Sequence, residues 1–191
     1  MPSALIALHY QNDICHPDGR IPFSLDRDGP EPARFLEASR GLIDSAREKG
    51  WSVVHVHIAF APDYSDLPRN CRLFNAVEQL GAVKRGSWGA APMRGFEPRE
   101  DDVVLVHSGN NAFHGTGLDE ILRERGIDTI VVTGLATQFS VEHTVRHATD
   151  LGYRVTVVRD CCTSGNGAAH TASLEVMSYL ASITDSRTID L

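Results

Sequence analysis

No apolar run in this chain reaches the ~20 residues that a membrane-crossing helix needs, so nothing in it asks for a bilayer. It has no cluster of Lys and Arg, and its formal net charge is -7. That balance argues against nucleic acid or an anionic membrane surface as a partner. The first residues lack the basic start and apolar stretch of a signal peptide, so secretion is unsupported. The four cysteines, Cys15, Cys71, Cys161 and Cys162, have no zinc-site spacing. Adjacent cysteines rarely bridge each other, so the expectation is free thiols in a cytoplasmic protein. Internal repeats and low-complexity linkers are absent too. What is present is ordinary: 42% hydrophobic and 23% charged residues in 191 positions. That length suits a single domain over 1–191, burying roughly 70% of its unfolded surface.

Periodicity then predicts one continuous alternation of strands and helices. Apolar runs predict strands at 3–8, 51–60, 102–106, 130–132 and 153–158, with a short edge strand near the end. Helices are expected from Glu31-Pro32 to about Lys49, over 71–80, from a Thr116 cap to Gly126, from Thr137 or Gln138 to Gly152, and over 168–180. Residues 15–30, 61–70, 81–99, 108–115 and 160–167 read as loops or irregular chain. Buried strands separated by helices predict an α/β protein: a three-layer α/β/α sandwich on a mostly parallel, about six-stranded sheet. Right-handed crossovers bring the carboxyl ends of its strands to one edge.

That edge is where ligands bind in such sheets. His9 follows the first strand, His107 closes the third, and Ser140 lies in the first turn of the helix after the fourth. Read alone, Ser140 is equally an ordinary polar residue near a helix start. Gln11, Asn110 and Asn111 lie just past strand ends and are candidates for a polar substrate, while Gln11 with Asn12 also reads as an anchor for the end of the first strand. Phe60, Trp88, Phe113 and Phe139 are candidates for an apolar pocket wall, although each also fits a core position. His55 and His57 share a strand face, as alternate residues on any strand do.

The stretches LHYQNDI at 8–14, NAFHGTGLDEILRERGID at 111–128 and VVTGLATQFSVEHTVRHATDLGYRVTVVRDCCTS at 131–164, with the His170 helix, resemble the isochorismatase-like cysteine hydrolases. The resemblance covers the whole chain. It implies a small-molecule hydrolase without a cofactor, assembled as a homodimer or homotetramer. The family works with an Asp, Lys and Cys triad. The matching positions here are His9, two residues before Gln11, His107, and Ser140 in TGLATQFS. The resemblance also implies a cis bond between Ala136 and Thr137, helping to build an oxyanion hole from these two residues.

Four readings of the altered triad stand at this point. Ser140 attacks a carbonyl while one histidine takes its proton. Alternatively the two histidines carry out acid–base chemistry without a covalent intermediate. The protein could instead be a binder that has lost catalysis. Finally, His9, His107, His57 and Asp13 could ligate a metal. The first reading lacks an obvious carboxylate to orient either imidazole, and Asp13 is the candidate for that role.

Overall fold

The computed structural model describes residues 2–26 and 31–191. The last part of the loop expected over 15–30, residues 27–30, lies outside the described residues. Six parallel strands, β1 (Ser3–Leu8), β2 (Ser52–Ile58), β3 (Val103–His107), β4 (Thr129–Leu135), β5 (Arg154–Thr163) and β6 (Ser182–Thr184), form one sheet in the order β3-β2-β1-β4-β5-β6. β1 is buried along its whole length, which is why it reads as a continuous apolar run rather than an alternation.

Two apolar cores flank the sheet. On one side α2 (Glu31–Glu48) buries Phe35, Leu42, Ile43 and Ala46, joined by Phe74 and Val77 of α3 (Arg72–Gln79). On the other, Leu118 and Leu122 of α4 (Leu118–Glu124), Val145 and Ala148 of α5 (Glu142–Asp150) and Met177 of α6 (Gly167–Met177) pack on Ile6, Leu8 and Ile130. The three-layer α/β/α architecture read from the sequence is the one observed. Among the described residues no helix is long and apolar enough to cross a membrane.

The chain runs outward from β1 to β3, then returns to β4 beside β1 and runs outward the other way. The crevice of this sheet therefore opens between the ends of β1 and β4. The two strands approach closely there. Gly134 has φ +125°, and a Cβ on it would stand 2.1 Å from the Leu8 carbonyl oxygen, so only glycine fits.

Some boundaries differ from the sequence reading. β5 continues to Thr163 because β4 supplies ladder partners that far, Gly134 to Cys162 and Leu135 to Thr163, after a shift in register. Asp160 is therefore a strand residue, and its carboxylate accepts from the Ser186 amide and hydroxyl. Gly117, with φ +73°, rather than Thr116 stands at the head of α4. Residues 12–15 form a single helical turn, α1 (Asn12–Cys15), of which only Cys15 falls in the loop expected from 15.

Candidate active site

At the end of β1 the backbone turns sharply: His9 has φ +61°, a left-handed conformation uncommon outside glycine. Its amide donates to the Val56 carbonyl at 2.9 Å, and its carbonyl accepts from the Gln11 amide at 2.8 Å. Gln11, expected to touch substrate, is instead a clamp. Its Oε1 accepts from the Ile58 amide at 2.8 Å, and its Nε2 donates to the carbonyls of Ile58 at 2.9 Å and Ala90 at 2.7 Å. Both amide hydrogens are spent on backbone, which ties the ends of β1 and β2 together.

Asp13 does not orient an imidazole. Its Oδ1 accepts from the Arg20 amide at 3.2 Å and its Oδ2 from the Val83 amide at 2.7 Å. It organises the loops over the site rather than the reacting groups. The four-residue metal set fails with it: among the described residues, no three His, Cys, Asp or Glu are arranged to hold an ion.

His9 and His107 do meet. Their Nε2 atoms are 2.7 Å apart, and the rings are tilted by 46°. His107 Nδ1 stands 3.2 Å from the Asn111 carbonyl oxygen. A carbonyl only accepts, so hydrogen-bond logic assigns the proton of His107 to Nδ1. Its Nε2 then presents a lone pair to His9, whose own proton must sit on Nε2. In a neutral His9 the Nδ1 then carries no proton. Burial pushes His107 down to about 4. Burial also holds His9 well below 6.5, helped by the neighbouring His107 and His57 and opposed by the Leu135 carbonyl, which favours the charged ring. Both imidazoles are thus neutral near pH 7.

β4 delivers the third group. The cis peptide lies between Leu135 and Ala136, one bond earlier than the expected Ala136–Thr137. Five residues, Thr137–Val141, then make a π-helical turn before α5. The Thr137 hydroxyl donates to the Thr163 carbonyl at 2.9 Å and meets His170 Nδ1 at 2.8 Å, which fixes the head of the turn. Ser140 is 3% exposed, and its hydroxyl makes no hydrogen bond among the described residues.

One cavity joins His9, Asn110, Ala136, Phe139 and Ser140. It encloses about 400 Å³ counting its open mouth. Its remaining wall comes from Ile14, Ile21, Phe23 and Ser24, from Ile58 and Val83, and from Leu73, Phe74 and Val77 of α3. His107 opens on the other side, into a separate cavity with Arg85, Ser108 and His114. A larger cleft beside α2 is lined by none of the sequence candidates, and its Arg159 is paired to Asp185.

Besides Gln11, His107 and Thr137, four more candidates fall outside the cavity. Phe60 is fully buried in the core against Phe74, with ring centres 5.5 Å apart. Trp88 is 53% exposed, edge-on to His16. Phe113 packs on His147 and Tyr153 within the opposite core. The Asn111 side chain bonds His147 and the Phe113 amide, so only its carbonyl serves the site. Ser24 and the α3 residues were missed. The spacing of Phe74 and Val77 signals a buried helix face but not what that face covers.

The family model described as "Isochorismatase domain" matches residues 3–188. An isochorismatase family protein of Desulfovibrio vulgaris superposes with a TM-score of 0.84 at 28% identity, over 97% of this chain and 94% of that one. The N-carbamoylsarcosine amidase of Thermoplasma acidophilum does so at 0.79 and 27%, over the full length of both. In sequence, the chain is 29% identical to a ureidoacrylate amidohydrolase of Methylobacterium radiotolerans, over 89% of this chain and 70% of that one. It is 28% identical to the uncharacterized isochorismatase family protein YecD of Escherichia coli O157:H7, over 82% and 80%.

Proposed function

The chain belongs to the isochorismatase family, and we propose that within it the protein is a hydrolase of a small ester, amide or lactone that uses Ser140 as nucleophile. A serine hydroxyl needs a base, and the base needs a third group to hold it in the right tautomer. The observation that carries this reading is the chain of contacts from the Asn111 carbonyl through His107 to His9. His107 takes the orienting part that a carboxylate plays in other triads: it receives the Nε2 proton of His9 and leaves Nδ1 free. His9 and Ser140 line one cavity, and catalytic hydrogen bonds often close only when substrate is bound.

The step balances without a further reactant. The Ser140 oxygen bonds to the substrate carbonyl carbon while its proton moves to His9 Nδ1. The His107 lone pair and the Leu135 carbonyl stabilise the imidazolium that results. His9 then gives that proton to the departing alkoxide or amine, leaving an acyl-serine. Water repeats the sequence, releasing the acid and restoring both groups. The backbone amides of Thr137, Gln138 and Ser140 at the head of the π-helical turn are the donors for the oxyanion, while that of Phe139 is spent on the Ala136 carbonyl at 3.0 Å.

The test is mass spectrometry after mixing with a short activated ester. An acyl adduct on the peptide carrying Ser140, lost together with turnover in Ser140→Ala, is the expected result. Undiminished turnover in that variant defeats the covalent mechanism. It would favour a second reading, in which His9 and His107 act on substrate directly. The observation behind this alternative is that the Ser140 hydroxyl is bonded to neither ring.

A further inference from the structure

The cavity has an unusual balance of groups. Among the described residues, its lining holds no Lys, Arg, Asp or Glu. Ten of its residues are aliphatic or phenylalanine side chains apart from Ala136. Its polar groups are His9, neutral for the reasons given above, and Ser24, Asn110 and Ser140. The side chains of the last three make no hydrogen bond among the described residues, although Ser24 and Ser140 are only 7% and 3% exposed. Arg85 lies beyond His107 in the other cavity and is paired to Asp66 at 2.9 Å.

From this we propose that the site selects a small uncharged substrate with a short apolar acyl chain, and rejects one that carries a carboxylate. The proposal rests on the hydrolase reading only for the word substrate; the selectivity itself is a property of binding. The acyl chain lies against Leu73, Phe74 and Val77. Ser24 and Asn110 receive a neutral polar atom. An anion entering this cavity would lose its hydration and, among the described lining residues, meet neither a cation nor a charged hydrogen-bond donor.

Butyramide and succinamate test this, since they share an amide and differ in a terminal methyl against a carboxylate. Each is titrated into the full-length protein at pH 7.5 and followed by amide chemical shifts. Butyramide is expected to bind at least about 100-fold more tightly, with shifts at Ser24, Asn110 and Ser140. Leu73→Arg, at the half-buried rim of the cavity, is expected to bring succinamate to within about tenfold of butyramide. Equal affinities in the wild type, a preference for succinamate, or no binding of either overturns the proposal. A folded Leu73→Arg that keeps the wild-type margin also overturns it, because charge would not be what selects. Butyramide selectivity without hydrolysis of any butyrate ester leaves this proposal standing and removes the hydrolase. Equal turnover of neutral and carboxylate-bearing esters does the reverse.

Discussion

Two histidine networks are buried in this sheet, and they differ in what surrounds them. At the amino-terminal side of β3, His55 Nε2 is 3.1 Å from Asp102 Oδ2, which also accepts from Arg47 Nη2 at 2.6 Å and from the Arg99 amide at 2.8 Å. Arg47 in turn reaches Asp44 at 3.0 Å. Every charge there has an opposite charge, and none of these residues lines the cavities described above. At the carboxyl-terminal side, among the described residues His9 and His107 have only each other and the backbone carbonyls of Asn111 and Leu135, and each opens on a cavity. Burial lowers the histidines in both networks. A lowered histidine is therefore not in itself a sign of chemistry. What separates the two is whether a base is left over: Asp102 and Arg47 enclose His55, whereas the tautomer logic leaves His9 Nδ1 without an assigned proton.

If that division is right, the two networks answer to different assays. His9→Gln should cut kcat by about 10²–10⁴ while leaving the urea midpoint nearly unchanged. A variant that keeps more than half of the wild-type rate would erase the distinction. Asp102→Asn should do the opposite. It leaves Arg47 and His55 without their carboxylate and should lower stability by about 3 kcal/mol, with the rate per folded molecule kept. Chemical unfolding and active-site titration together read both quantities.

The architecture and the meeting of His9 with His107 were legible in the sequence, and the reasons are physical. Residues 3–8 and 130–132 are apolar without alternation, which in a chain of this length means strands covered on both faces. Once β1 and β3 are parallel members of one sheet, residues at their ends share an edge whatever lies between them. The roles of Asp13, Asn111 and Trp88 were not legible. Each lies in a turn, where side-chain direction depends on backbone angles that carry no periodicity. The left-handed turn at His9 brings Gln11 beneath Ile58, and Asp13 is met by Gly89, whose missing side chain makes the room. The same limit misplaced the cis bond by one residue.

Acid should sharpen the comparison further. His9, His55, His57 and His107 all hold protons more weakly in the folded chain than at the ordinary 6.5, with His57 and His107 at about 4. Between those limits the unfolded chain binds more protons, so stability should rise with pH from about 4 to 6.5 and level off above. Activity depends on a neutral His9 and should follow the same side. The acid limb of kcat/KM should fall well below pH 6.5, as one apparent value for the coupled pair. A limb at 6.5 or above would mean that the pair is charged at rest, and the tautomer chain would not hold.

The smallest effect concerns His57, which lies between the two networks and belongs to neither. Its ring centre is 6.1 Å from that of His55, and its imidazole makes no hydrogen bond among the described residues. It acts on His9 only through charge, and only once it is itself protonated. His57→Leu should therefore leave the rate at pH 7.5 unchanged. At pH 5 the wild type is destabilised by a buried ring that resists charging, and the variant is not, so the variant should be more stable there by about 1–2 kcal/mol. The acid limb should also move up slightly, because one neighbouring positive charge no longer opposes protonation of His9; a lost rate at pH 7.5 would instead make His57 a working part of the site.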